Sequence, residues 1–109
     1  MGLDIAIKEV GPIYCPDCSR LVAVKEIDEV DSGGRIWYDI LTDFGYYVPY
    51  EQRDETNDWY GKDMTLSSEQ AQELFDFVER EKPYSARDLS VLISHALASG
   101  NKIVINADW

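Results

Sequence analysis

From Leu3 to Val10 the chain alternates: Leu3, Ile5 and Ile7 point one way, Asp4, Ala6 and Lys8 the other. A period of two is the mark of a half-buried strand. Gly11-Pro12 is expected to end it. Leu21–Ile27, rich in apolar and β-branched residues, reads as a second strand. Asp31-Ser32-Gly33-Gly34 reads as a turn, because glycine takes positive φ at little cost. Arg35–Leu41 then reads as a third strand, hairpin-paired with the second. Phe44–Tyr50 reads as a fourth, near an edge because Pro49 has no amide to donate. On such strands Trp37 and Tyr38 face opposite ways, as do Tyr46 and Tyr47.

The period then changes. Glu51–Asp63 is polar and acidic and is expected to be a long loop. Ser67-x-x-Gln70 has the spacing of a capping box. Ala71, Leu74, Phe75 and Val78 follow at i, i+3, i+4 and i+7, one buried stripe of a helix. Arg80 and Lys82 suit the negative end of its dipole, and Pro83 stops it. Ser85 is expected to cap a second helix with the stripe Leu89, Leu92, Ile93, Ala96 and Leu97, closed by Gly100. Lys102–Ala107 is a last strand. Its run Ile103-Val104-Ile105 suits the middle of a sheet, covered on both faces. The pattern predicts a single α+β domain over residues 1–109. Its sheet is mostly antiparallel, of four to five strands, with two helices from the C-terminal half packed on it.

A chain of 109 residues buries roughly two thirds of its unfolded surface. That suffices for a core without a disulfide framework or a structural metal. No apolar run approaches the ~20 residues needed to cross a bilayer. The N-terminus has neither the basic nor the apolar segment of a secretory signal, so a cytoplasmic location is expected.

Charge changes the picture more. The net charge is −11, which disfavours direct binding to nucleic acid or anionic membrane and favours a basic protein partner. The charge is uneven. Glu26–Asp63 holds 11 acidic and 3 basic residues, together with eight of the 13 aromatic residues. A small domain is not expected to bury all eight rings. Exposed Tyr and Trp beside carboxylates suit an interface, the rings giving contact area and the acids selecting a basic surface. The residues expected to carry it are Asp54, Glu55, Asp58, Trp59, Tyr60, Tyr46, Tyr47 and Tyr50. Free sheet edges and exposed rings also leave room for a homodimer.

The one chemically pointed motif is Cys15-Pro16-Asp17-Cys18, between two strands. Two thiolates on a tight turn are half of a zinc-ribbon site. The other half is missing, so zinc at Cys15 and Cys18 would need His95 and a carboxylate, or a second copy of the chain. Redox use places the first Cys at a helix N-terminus, whereas the residues after this motif favour a strand. The main expectation is a structural turn with no cofactor. His95 is the only histidine. Asp88 lies two turns before it on the second helix, without the sequence context of an activated nucleophile. No phosphate loop or dinucleotide fingerprint occurs.

The opening Met-Gly-Leu-Asp-Ile, the single C-P-x-C and the small acidic format resemble small acidic proteins of bacteriophages and prophages. That resemblance implies an inhibitor of host defence, of the anti-CRISPR or anti-restriction kind, occupying a nucleic-acid-binding surface. The expected function is therefore non-enzymatic binding of a basic surface. A toxin-neutralising immunity protein, a zinc- or thiol-dependent protein using Cys15 and Cys18, and a small-molecule binder using the aromatic cluster are the alternatives.

Overall fold

A computed structural model describes residues 3–14 and 21–109; the Cys15/Cys18 motif, and with it the zinc and thiol readings, lies outside the described residues. The chain is α+β. It runs β1 (Asp4–Tyr14), β2 (Leu21–Gly33), α1 (Trp37–Asp43), a short 3-10 turn (Tyr50–Gln52), β3 (Met64–Thr65), α2 (Ser68–Glu81), α3 (Ala86–Ser99) and β4 (Lys102–Asp108). The sheet order is β2-β1-β4-β3, antiparallel throughout. As its apolar run suggested, β4 lies inside the sheet.

The hairpin differs from the one expected. β2 pairs with β1, from Asp4↔Gly33 to Tyr14↔Leu21. Strand β1 therefore runs through Gly11-Pro12 instead of ending there. Pairing of β1 with β4 stops at Val10. Beyond that point Pro12 has no strand on its second side among the described residues, so its missing amide breaks no ladder there. A Cβ at Gly11 would come within 2.8 Å of Ile27 Cδ1 and 3.3 Å of Asn101 Oδ1, so the tips of those two side chains would have to give way.

Arg35–Leu41 is not a strand. The chain turns at Gly34, whose φ of +113° disfavours any side chain, and enters α1. Trp37, Ile40, Leu41 and Phe44 are all buried, and they fall at i, i+3, i+4 and i+7, a helical stripe. Phe44–Tyr50 is likewise not a strand but the turn after α1 and the start of the 3-10 turn. The opposite-face argument for Trp37/Tyr38 and Tyr46/Tyr47 therefore fails with its premise.

The two later helices form as expected, with two differences. The capping box is complete: Gln70 N–H donates to Ser67 Oγ (3.1 Å) and Ser67 N–H to Gln70 Oε1 (2.9 Å). The residue that completes the α2 stripe is Phe77 rather than Phe75, which is half-buried. Ser85 precedes α3 in a left-handed conformation (φ 62°) and makes no side-chain cap. Pro83 N-terminal to it and the left-handed Lys82 set the corner between the helices instead.

Leu3, Ile5 and Ile7 of β1 and Ile103, Ile105 and Ala107 of β4 join the buried residues of all three helices in one core, Leu3 from just before its strand. The opposite face of the sheet carries Asp4, Ala6, Lys8 and Asn106, exposed or half-buried. Among the described residues, then, the helices cover β4 on one face only, and Val104 on the other face is 9% exposed. No described helix is long and apolar enough to cross a membrane.

Candidate functional site

The loop that was expected to bind splits into two parts. Tyr46 belongs to the core. It is fully buried, its hydroxyl donates to the Lys62 carbonyl (2.7 Å) and accepts from the Ala107 amide (2.7 Å), and burial pushes the phenol above its usual range. This corrects its assignment to an interface. Tyr47 and Tyr60 stand edge-on to Trp109 (ring centroids 5.1 and 4.9 Å), and Trp59 stacks on Tyr46 at 6.3 Å. The Arg53 guanidinium sits 5.5 Å over the Trp109 ring and donates twice to the Val48 carbonyl. The rings are a satellite cluster that fastens the loop to the C-terminus, with Tyr60 the most exposed of them. Tyr50 lies in the 3-10 turn, and its side chain is outside the described residues.

The loop acids do stay at the surface. Glu51, Asp54, Glu55 and Asp58 line an open depression of about 520 Å³ with Arg53. Two of them also build the loop. Asp54 Oδ1 accepts from Thr56 Oγ1 (2.6 Å), Thr56 N–H (2.7 Å) and Asn57 N–H (3.1 Å). The hydroxyl first, then the amides, hold its carboxyl below the usual range. Asp58 Oδ1 accepts from Tyr60 N–H (3.2 Å). Glu51 and Glu55 are the acids in this group with no described internal partner.

A larger acidic site lies between α1 and α2. The cleft, about 670 Å³, is lined by Asp39, Asp43, Glu73, Asp76 and Glu81, with Ile40 and Phe77 at its floor and Arg80 as its only base. Arg80 is engaged by Glu81 (3.2 Å). Glu73 shares a hydrogen bond with Asp43, and that bond, partial desolvation and the charges of Asp43 and Asp76 raise its carboxyl above the usual range. Asp39, Asp43, Glu73 and Asp76 repel one another here, and Arg80, engaged by Glu81, makes no ion pair with any of them, so a cation entering the cleft relieves repulsion already present. Sequence reasoning missed this site because it needs residues 37–43 to be helical. On a helix Asp39 and Asp43 are four apart and share a face, as do Glu73 and Asp76 at three.

His95 sits on the exposed flank of α3, as expected, and pairs with a buried acid. Its Nδ1 lies 2.8 and 2.6 Å from the two oxygens of Glu9. Glu9 is 1% exposed and also accepts from Asn101 Nδ2 (2.8 Å). The carboxylate thus fastens α3, and the α3–β4 corner, onto β1. Among the described residues no group of three or more His, Cys, Asp or Glu side chains is arranged to hold a metal ion. Comparison of the chain with family models, curated proteins and solved structures finds no match.

Proposed function

We propose that this protein works by binding a basic macromolecular surface, of the sort that proteins use to hold nucleic acid, and that occupying that surface is how it acts. The observation that carries this reading is the α1–α2 cleft, in which four carboxylates lack an opposing base and the carboxyl of one of them, Glu73, is raised above its usual range by its hydrogen bond with Asp43. Keeping like charges in contact disfavours the free protein slightly and favours a cationic partner by the same amount. Asp54, Glu55 and Asp58 on the loop extend the acidic surface. A non-enzymatic inhibitor of a nucleic-acid-processing protein fits such a surface, since the target's own ligand is a polyanion.

The test uses two neutralised forms, Asp39→Asn/Asp43→Asn/Glu73→Gln/Asp76→Asn for the cleft and Glu55→Gln for the loop. Each is immobilised beside the unaltered protein and washed with nuclease-treated bacterial lysate in a salt gradient. Captured basic proteins are then assayed for nucleic-acid binding with and without the free protein. The expected result is a target whose nucleic-acid binding is blocked by the unaltered protein and released by moderate salt, with the cleft variant losing both effects. Full retention and full inhibition by the cleft variant would refute the proposal.

A further inference from the structure

β2 is an edge strand of 13 residues, and its outer side meets no other strand among the described residues. Which of its main-chain groups point outward follows from one hydrogen bond. Gly34 N–H donates to the Leu3 carbonyl (2.9 Å), so residues 3 and 34 sit at a hydrogen-bonded position of the ladder. Antiparallel ladders alternate bonded and non-bonded pairs. With the register Asp4↔Gly33 to Glu9↔Asp28, Asp28, Val30 and Ser32 face β1, while Glu29, Asp31 and Gly33 turn their N–H and C=O groups outward. The Glu29 amide is met only by the neighbouring Asp28 carboxylate (2.9 Å).

The side chains on this row are acidic as well. Register slips between Glu9 and Val10, so that Val10 faces Glu26 and Ile27 is the extra residue of a bulge. The bulge brings Glu26 onto the same face as Glu29. A hydrogen bond between the two carboxyls, some desolvation and their mutual charge raise Glu29 above the usual range. At the far end of the row an open depression of about 410 Å³ lies beside Asp31 and Gly33, walled by Tyr84. Tyr84 is 78% exposed, and its backbone is held against β2 by Ser32 Oγ, which donates to the Tyr84 carbonyl (2.6 Å).

We propose that the outer edge of β2 is a docking site for an extended cationic segment of another protein, which adds to the sheet as a further strand. The main chain of Glu29, Asp31 and Gly33 supplies the ladder. Glu29 and Asp31, two residues apart on one face, select Lys or Arg at alternate positions of the incoming strand. The Tyr84 depression receives the side chain that follows, and a tyrosine face suits a cation or an apolar stem. A second copy of this chain is disfavoured on the same edge, because it would set acid against acid. The site is distinct from the α1–α2 cleft and does not depend on it.

The probe is an acetylated, amidated Lys-Val-Lys-Val-Lys-Val peptide, titrated into the isotope-labelled protein and followed by amide shifts and amide exchange. Its control is the same peptide with N-methylated backbone amides, of equal charge. The expected result is shift changes and slowed exchange at Glu29, Asp31 and Gly33. The methylated peptide fails to bind, Glu29→Lys/Asp31→Lys weakens binding at least tenfold, and the cleft-neutralised protein binds as before. Equal binding of the methylated peptide, or shifts centred on Asp39, Asp43, Glu73 and Asp76, would overturn strand addition. So would protection of the Glu29 and Asp31 amides that grows with protein concentration in the absence of peptide, since a second copy would then hold the edge. The amide spectrum of the double variant reports its folding in the same experiment, and Tyr84→Ala, which leaves the ladder intact, is expected to weaken binding severalfold.

Discussion

Along β4, Ile103, Ile105 and Ala107 are each met from outside the strand, whereas along β2 the outward main-chain groups of Asp31 and Gly33 meet no strand among the described residues. The Leu66 amide donates to the Ile103 carbonyl (2.8 Å) and Met64 pairs with Ile105. Past the end of β3 the loop takes over: the Gly61 amide donates to the Ala107 carbonyl (2.9 Å), and the Tyr46 hydroxyl accepts from the Ala107 amide. Even Asn106, on the helix-free face, is tied by its side chain to Gly61 and Asp63. A strand of only two residues thus protects a whole edge, because a buried tyrosine and a glycine amide extend its ladder. At the β2 edge the protection is chemical rather than structural. A bulge and a row of carboxylates deter a second copy, and the same carboxylates suit a basic strand. An edge finished by burial supports stability; an edge finished by charge leaves main-chain groups free for a partner.

The sharpest way to break this contrast is to remove Tyr46. Tyr46→Ala empties a fully buried ring site and is expected to destabilise the protein by about 3–5 kcal/mol in chemical unfolding. Tyr46→Phe keeps the ring but orphans the Ala107 amide, and is expected to lose about 1–3 kcal/mol. Next in size is the link that holds α3 on β1. His95→Ala leaves the buried Glu9 carboxylate with Asn101 alone, for a loss of about 1–3 kcal/mol by the same measurement.

The acidic pairs predict a pH response. Glu29 and Glu73 have folded-state carboxyls raised above 4.5 by their acidic neighbours, so the folded state takes up their protons before the unfolded state does. Their contribution to stability is present below about 4.5 and is lost as pH rises through their folded values. Melting temperature is therefore expected to rise as pH falls from 7 toward 5. Asp54 and Glu79 act in the opposite sense, because hydrogen bonds lower them: Thr56 holds Asp54, and Ser90 with Lys82 holds Glu79. Below about pH 4 their loss is expected to reverse the gain. A melting temperature that falls steadily from pH 7 downward would contradict the repulsion assigned to these pairs. The smallest effect is expected at the open edge itself, where Asp31→Lys should change stability by no more than about 0.5 kcal/mol in either direction.

Much of the fold was legible where local signals agree with the final packing. Ser67 and Gln70 marked the start of α2, the stripe from Leu89 to Ala96 marked α3, and Ile103–Ile105 marked a central strand. The failures share a cause. Trp37-Tyr38-Asp39-Ile40-Leu41 is rich in residues that favour strands, and that preference hid the i, i+3, i+4, i+7 spacing that places Trp37 against Phe77 (5.0 Å between ring centroids). Asp31-Ser32-Gly33-Gly34 looked like a hairpin turn, but Ser32 is a strand residue that also accepts from Trp37 Nε1 (3.1 Å). Only the end of that segment turns. The acidic loop could be read from composition, since its exposure needs no tertiary partner. The α1–α2 cleft and the β2 edge could not, because each depends on which elements lie side by side, and a contact such as Asp43 with Glu73, 30 residues apart, leaves no local trace. Tyr46 was misplaced for the same reason: its partner, Ala107, is 61 residues away.

Native-state amide exchange at neutral pH tests the contrast between the two edges most directly. The amides of Leu66 and Ala107 are expected to exchange only with global unfolding, and those of Asp31 and Gly33 close to the unfolded rate, despite all four lying in or beside the same sheet. Strong protection of Asp31 and Gly33 in the isolated, dilute protein would mean that something already covers the β2 edge. Rapid exchange at Ala107 would mean that Tyr46 does not close the other, and either result would contradict the division of labour between burial and charge.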